Sequence, residues 1–161
     1  MSRRIYFEGE VRTEWIDEFG HMGYLDYQRV SDIATMAFWE EMNGGRGQEA
    51  RQDNEFAIVD VHVRYLRELR LGDPLKIATR LVGCDLKRFG LLHEMSSGDK
   101  LCATIGFLCL SFHLGERRVR PFAKDVAARL AAALDPEAAQ DPSLPACLVP
   151  ALSWRLPAPS A

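Results

Sequence analysis

The sequence predicts an α+β fold in which an antiparallel sheet of about five strands wraps round one long helix. One segment, residues 26–43, carries apolar side chains at helical spacing. Four later segments alternate apolar and polar residues and are joined mostly by tight turns, as antiparallel neighbours permit. The apolar stripe of the helix must be covered, and strands are its only partners in this chain.

The first half of the chain divides into a strand, a helix and a loop. The strand is predicted from Arg4 to Trp15, where apolar residues stand at intervals among charged neighbours. The helix is predicted from Asp26 to Asn43, with an acid in its first turn and two glycines just past its end. Residues 45–54 are polar and lack periodicity, which predicts a loop.

The second half predicts four strands and a short helix. The first strand, residues 56–69, should turn Val59, Val61, Val63 and Tyr65 to one side and Asp60, His62, Arg64 and Glu68 to the other. Strands over 75–84, 87–95 and 101–113 follow, with a hairpin turn at 96–99 and a bulge suggested by Gly106. An Ala-rich helix is predicted over 123–134. This order of elements is the hotdog arrangement.

Composition indicates one globular domain with a tail. The chain has 161 residues, of which 47% are hydrophobic and 27% charged, values close to those of ordinary globular proteins. We assign residues 1–134, including the short helix, to the hotdog domain and residues 135–161 to an Ala/Pro-rich C-terminal tail. The formal charge of -3 and the dispersed Lys and Arg argue against a nucleic-acid partner.

The sequence favours a cytoplasmic protein. The N-terminus has no apolar region typical of a signal peptide, and no apolar run approaches the length of a membrane span. The four cysteines, Cys84, Cys102, Cys109 and Cys147, include no C-x-x-C pair and are too sparse for a disulfide scaffold or a zinc site. We therefore interpret them as small core residues and expect no metal.

The segment from Asp17 to Tyr24, which joins the first strand to the helix, carries the chemistry. A glycine-containing loop can present a carboxylate here, and the start of the helix offers unpaired amide hydrogens and the positive end of the dipole. A carboxylate beside such donors can attack a carbonyl or activate water while the amides hold the developing oxyanion. Thioester hydrolysis needs these two parts.

The motif D-x-x-G-H-M, with a tyrosine shortly after it, resembles the 4-hydroxybenzoyl-CoA thioesterase-like branch of the hotdog superfamily. The segments DVHVRYLR, GDPLKI, KRFGLLHEM and RRVRPFAKDVAARL resemble a bacterial subgroup that includes betainyl-CoA thioesterases, so the similarity covers roughly residues 10–134. The resemblance implies a hotdog fold and hydrolysis of an acyl-CoA to the free acid and CoA. No cofactor is implied, since coenzyme A is part of the substrate.

The resemblance also assigns roles within the loop. Asp17 takes the place of the catalytic carboxylate, as nucleophile or general base, and the backbone amide of Tyr24 takes the place of the carbonyl polariser. Gly20 supplies the turn between them, and His21 is the usual companion in this loop, either orienting Asp17 or the substrate or making a structural hydrogen bond. Gly23 departs from the pattern, because the subgroup has Asn there, as a helix cap or as a polar group beside the acyl pocket.

Further substrate contacts are predicted outside the loop. Alternation turns His93 towards the helix, where it either contacts substrate or is a buried histidine with hydrogen bonds. Arg88 belongs to a set of basic residues that would hold the phosphates of CoA or simply lie in solvent. Tyr27 is predicted to line the acyl pocket. Together with Trp15, Tyr24 and Trp39 it would form an aromatic cage for a quaternary ammonium or part of an ordinary core.

Other functions are less consistent with the sequence. It has no G-x-S-x-G elbow, no glycine-rich phosphate loop and no G-D-x-N-P-x-H hydratase motif. The alternative that stays open is a hotdog domain that binds acyl-CoA without hydrolysing it, as a sensor or partner subunit. An exposed strand edge predicts self-association as a homodimer or a dimer of dimers with sites at the interface. We expect no membrane partner.

Overall fold

The computed structural model describes residues 3–51 and 53–157. The strands are β1 (Arg4–Glu10), β2 (Asn54–Tyr65), β3 (Pro74–Cys84), β4 (Arg88–Ser97), β5 (Lys100–His113) and the two-residue β6 (Arg118–Val119). The helices are α1 (Tyr24–Met42) and α2 (Lys124–Ala133), and four short 3-10 segments lie at Thr13–Trp15, Gln48–Arg51, Ala138–Gln140 and Ala146–Ser153. Within the described ranges, no helix has the length and apolar character required to cross a membrane.

All the strand pairs are antiparallel. The five long strands lie in the order β1-β3-β4-β5-β2, and β6 adds to β5. Strands β1 and β2 therefore form the two edges, and β2 is exposed at Ile58, Val59 and Val61.

Helix α1 packs against one face of this sheet and forms the main core. Its buried stripe includes Val30, Ala34, Phe38 and Trp39 at helical spacing. The Trp39 ring stacks on Phe89 of β4, with ring centroids 5.4 Å apart. The predicted α+β hotdog class, with one long helix held by a curled antiparallel sheet, is confirmed.

Several predicted boundaries are wrong, and local backbone bonding explains them. The first strand ends at Glu10, because its pairing with β3 stops at Pro74 and the chain then turns at Thr13–Trp15. Strand β2 ends at Tyr65, where the amides of the next two residues both donate to the Cys102 carbonyl. The predicted loop contains the short turn Gln48–Arg51, which is anchored by a buried hydrogen bond from Arg51 Nε to Glu55 Oε1 of 2.9 Å.

The tail packs against the sheet face opposite α1. A second apolar cluster joins Val82 and Leu92 of the sheet to Ala138, Leu148 and Ala151 of the tail. Gly106 causes no bulge, because the strand pairing is regular on both sides of it. The glycine instead makes room for the tail, since a Cβ atom there would lie 3.2 Å from Leu148 Cδ1.

Candidate active site

The loop that carries Asp17 is a closed turn. The amide of Gly20 donates to the Asp17 carbonyl at 3.1 Å, and the amide of Phe19 donates to Asp17 Oδ1 at 2.9 Å. The Asp17 amide donates in turn to the His21 carbonyl at 2.9 Å. Gly20 has φ of +83°, a left-handed conformation that glycine adopts without a Cβ penalty. These bonds place one carboxylate oxygen in the turn and leave Oδ2 available.

The same loop sets the start of α1. The amide of Met22 donates to the Leu69 carbonyl at 2.7 Å, and that of Gly23 donates to the Trp15 carbonyl at 2.9 Å. Helix α1 then begins at Tyr24, whose amide is one of the first-turn donors that an α-helix leaves without an intrahelical acceptor. The positive end of the helix dipole therefore lies next to the Asp17 turn.

Asp17 lies beside this helix start. A Cβ atom built on Gly23 would be 3.7 Å from Asp17 Cβ, so the Asp17 side chain lies next to the residue that precedes the first amide of α1. His21 Nδ1 is 3.7 Å from Asp17 Oδ2, and both side chains are partly exposed, at 38% and 29%. At that distance a protonated His21 would pair with Asp17 by charge rather than through a short hydrogen bond. The structure thus brings Asp17, Gly20, His21, Gly23 and Tyr24 together.

Gly23 occupies the N-cap position of α1 and, lacking a side chain, makes no capping bond. Two roles were open for the Asn that the subgroup has at this position: a helix cap or a polar group beside the acyl pocket. The N-cap position fits the first role, because asparagine is among the strongest N-cap residues. The Asp26 carboxylate fills some of the space, because Oδ2 would lie 3.0 Å from a Cβ atom at position 23. The departure therefore removes a side-chain cap and leaves the Asp26 carboxylate next to position 23.

A cleft of about 460 Å³ opens at this point. Its walls come from the loop, the first turns of α1 and the end of β2, and are formed by Asp17, Phe19, His21, Met22, Tyr24, Tyr27, Tyr65, Leu66, Arg67 and Glu68. Four aromatic rings lie in this lining, and its charged residues are Asp17, Arg67 and Glu68. The cleft is open to solvent in the single chain, since Tyr24 is 66% and Phe19 76% exposed.

Tyr65 was not identified as a site residue from the sequence. Its hydroxyl donates to the carbonyl of Tyr24 at 2.8 Å, which ties the end of β2 to the first residue of α1. Its ring meets Tyr27 edge to face, with centroids 5.1 Å apart. The only sequence signal was its predicted place, with Val59, Val61 and Val63, on one side of the strand predicted over 56–69.

Tyr27 forms the buried wall of the cleft. Burial raises the pKa of its hydroxyl to about 12, and that hydroxyl donates to the Arg67 carbonyl at 3.3 Å. Tyr27 therefore stays neutral at physiological pH and offers its ring to the cleft. At the rim, hydrogen bonds from Arg70 lower the pKa of Glu68, which keeps this carboxylate ionised.

His93 lies away from the cleft. It is fully buried between Thr35 of α1 and Thr79 of β3, and its two ring nitrogens are each 2.8 Å from a threonine hydroxyl. Thr35 is eleven residues after Tyr24, which at 1.5 Å per residue is about 16 Å along the helix. Of the two alternatives, a substrate contact or a buried histidine with hydrogen bonds, these contacts match the second. His93 therefore does not lie in the same site as Asp17.

Arg88 and the two tryptophans also lie elsewhere. Arg88 pairs with Asp85 and its guanidinium lies 4.3 Å from the centre of the Trp154 ring, so Trp154 docks on the domain that carries it. Trp39 is in the main core, and Trp15 is 4% exposed. Of the two alternatives for Trp15, Tyr24, Tyr27 and Trp39, the ordinary core applies to both tryptophans, because Trp15 is buried and helical spacing turns Trp39 towards the sheet. Phe19 and Tyr65 accompany the two tyrosines instead.

Comparison with known families and proteins places this site in context. Residues 11–130 match the model of the Thioesterase-like superfamily. The betainyl-CoA thioesterase of Pseudomonas aeruginosa is 28% identical over 129 residues, which cover 78% of this chain and 80% of that protein. The L-carnitine dehydrogenase/betainyl-CoA thioesterase of Agrobacterium fabrum is 32% identical over 92 residues, 57% of this chain but 19% of that longer protein.

Solved structures share the fold. A Staphylococcus aureus protein whose structure was characterised in complex with CoA superposes with a TM-score of 0.75 at 22% identity, over 83% of this chain and 85% of that one. At this level of identity the likeness concerns the arrangement of helix and sheet.

Proposed function

This chain belongs to the thioesterase-like superfamily, and from this premise we propose that it hydrolyses a small acyl-CoA thioester to the free acid and CoA at the Asp17 cleft. The observation that carries the proposal is the position of the Asp17 carboxylate beside the first amides of α1. One group can attack or activate water while the other holds the oxyanion.

Two routes fit the geometry. Asp17 either removes a proton from a water molecule that adds to the thioester carbonyl, or adds to that carbonyl itself to form a mixed anhydride that water then cleaves. In both, the carbonyl oxygen gains negative charge opposite the Tyr24 amide and loses it as the C–S bond breaks. The thiolate of CoA leaves and takes up a proton, and the acid retains one oxygen from water. His21, 3.7 Å from Asp17 Oδ2, is placed to orient the carboxylate.

The aromatic lining of the cleft favours an acyl group that carries a quaternary ammonium. Three tyrosines and Phe19 offer aromatic faces, while the Asp17 and Glu68 carboxylates share the lining with Arg67, and Glu68 is paired with Arg70. A quaternary ammonium is attracted to such faces. The P. aeruginosa relative is named for betainyl-CoA, whose acyl group has this character. We therefore place a betainyl-like acyl group first among the candidate substrates.

The exposed edge of the sheet next to the cleft indicates the partner of this chain. The exposed edge strand β2, with Ile58, Val59 and Val61 uncovered, supports pairing with a second copy into a homodimer. The open cleft begins at the end of this strand, so a second chain would close it. Arg88 remains our candidate for the CoA phosphates, and in the single chain it pairs with Asp85 and lies against Trp154. The proposed reaction uses no metal or other cofactor, because the carboxylate and the amide supply both functions.

The alternative function is binding of acyl-CoA without hydrolysis. The observation in its favour is Gly23, which leaves α1 without a side-chain cap directly above Asp17. A binding protein would hold intact acyl-CoA for hours without releasing thiol.

Thiol release from acetyl-, benzoyl- and betainyl-CoA tests the proposal. Wild type should release thiol, and Asp17→Asn should lose on the order of a hundredfold or more in rate, as expected for a nucleophile or base. Glu18→Gln is the matched control, since Glu18 is the exposed neighbour in the same loop. Equal rates for Asp17→Asn and wild type would remove Asp17 from the mechanism, and binding of acyl-CoA without any thiol release would favour the alternative.

A further inference from the structure

Gly23 changes which amides are free at the start of α1. The N-cap residue of a helix uses its side chain to accept from the amide of the second or third helical residue. Here these residues are Leu25 and Asp26, because α1 begins at Tyr24. The Asp26 amide already donates to the Gly23 carbonyl at 2.9 Å. Leu25 is therefore the residue whose amide a side-chain cap at position 23 would occupy.

Two neighbouring amides keep their hydrogens free as a result. An α-helix has no intrahelical acceptor for its first amides, and among the described residues no other group accepts from the amide of Tyr24 or Leu25. First-turn N–H groups point out of the N-terminal end of their helix, where the dipole is positive. The Asp17 side chain approaches this end, since its Cβ lies 3.7 Å from a Cβ atom built on Gly23. Two donors rather than one are thus free at the helix start beside Asp17.

Tyr65 acts on the second of these amides. Its hydroxyl donates to the Tyr24 carbonyl at 2.8 Å. That carbonyl and the Leu25 amide belong to the same peptide group, and a hydrogen bond to the oxygen of a peptide group strengthens its N–H as a donor. The end of β2 therefore polarises the Leu25 amide rather than the Tyr24 amide.

The Asp26 carboxylate also lies at the helix start but leaves both amides free. Its Oδ1 is 3.5 Å from Arg29 Nε, and within the described ranges it accepts from neither amide. Its Oδ2 would lie 3.0 Å from a Cβ atom at position 23, so any side chain there displaces the end of Asp26 slightly. Because every substitution at position 23 shares this displacement, comparing two substitutions removes its effect.

We propose that Gly23 gives this chain a second oxyanion donor, the Leu25 amide, which joins the Tyr24 amide in holding the carbonyl oxygen during thioester hydrolysis. An asparagine at position 23 would occupy that donor and leave one. The inference rests on the proposed function, because it assigns a further group to the same reaction at the Asp17 cleft. The chain thus lacks a helix cap and has an additional donor for the transition state.

Gly23→Asn tests the second donor, with Gly23→Ala as the matched control. Both substitutions add a Cβ atom beside Asp26, but only asparagine can accept from the Leu25 amide. The asparagine cap must be displaced before the oxyanion can use this amide. With the acyl-CoA that wild type hydrolyses fastest, we therefore expect kcat to be about fivefold lower for Gly23→Asn than for Gly23→Ala, with little difference in KM.

Two further measurements separate a capped amide from a damaged loop. The urea midpoint should be higher for Gly23→Asn than for Gly23→Ala, since asparagine is the better cap, so stability and kcat should change in opposite directions. Hydrogen exchange of the Leu25 amide, followed by NMR in protein that carries isotope-labelled leucine, should be slower in Gly23→Asn than in Gly23→Ala.

The contrary outcomes are distinct. Slower exchange in Gly23→Asn with equal kcat values for the two variants would show that the Leu25 amide takes no part in the reaction. Equal exchange rates would show that a side chain at position 23 does not reach this amide, which also overturns the inference. A wild type that releases no thiol from any acyl-CoA would refute the proposed function itself, and with it the reaction in which a second donor acts.

Discussion

His93 should make the fold sensitive to acid. Burial lowers the pKa of its imidazole to about 3, against an ordinary value near 6.5. Thr35 donates its hydroxyl hydrogen to the Ser31 carbonyl at 3.0 Å, so its oxygen accepts from His93 Nε2, and Nδ1 accepts from Thr79. The neutral ring is fully satisfied in this arrangement, and a second ring proton would have to be buried.

The sign follows from the two protonation states. The folded state keeps His93 neutral down to about pH 3, whereas the unfolded chain takes up a proton below about pH 6.5. The free energy of unfolding is therefore unaffected by His93 above pH 6.5, where both states are neutral, and it decreases as the pH falls below that value. At about 1.36 kcal/mol per pH unit, moving from pH 7 to pH 5 removes about 2 kcal/mol, a large part of the stability of a small domain.

Urea denaturation of wild type and His93→Gln at pH 7 and pH 5 measures this loss. The glutamine keeps one donor and one acceptor for the two threonines and cannot titrate. Other groups, including Asp32, whose pKa is raised by burial and which acts in the opposite direction, contribute equally to both proteins. We expect the wild type to lose about 2 kcal/mol more than the variant between these pH values. Equal losses would refute the assignment of a buried neutral imidazole.

Three further substitutions probe the cleft and the tail. Tyr65→Phe removes the hydroxyl that donates to the Tyr24 carbonyl. Because a hydrogen bond contributes about 1 kcal/mol net, we expect kcat to fall by about fivefold with little change in KM. Tyr6→Phe, far from the cleft, should leave kcat unchanged in the same steady-state assay. Gly20→Ala forces a side chain into a φ of +83° and should lower the free energy of unfolding in urea by about 1–2 kcal/mol. Gly47→Ala, whose new Cβ atom would meet no neighbouring atom, should lower this free energy by less than half as much. Arg80→Met leaves the carboxylate of Asp135 buried without its guanidinium and should cost about 3 kcal/mol, and an unchanged urea midpoint would contradict the buried ion cluster.

Local patterns in the sequence determined most of the architecture. Apolar residues at helical spacing identified α1 to within two residues of its observed start, and alternation with turn residues located β3, β4 and β5. The family resemblance also implied the turn at Gly20, where the left-handed φ is a local requirement that glycine meets. These features depend on neighbours along the chain.

The tertiary structure decided what distant segments do to one another. Tyr65 and Tyr24 are 41 positions apart, and their hydrogen bond exists because the end of β2 returns to the helix start. Gly106 was predicted to mark a bulge, but it lies in a regular strand and makes room for Leu148. The glycine is needed because Leu148, on another segment, packs against it. His93 and Arg88 carry side chains suited to a site, but the register of β4 places one in the core and the other beside the tail. The sequence by itself thus determined the elements and the Asp17 turn, whereas only packing across the sheet decided which side chains share the cleft, because those contacts depend on strand order and register rather than on local spacing.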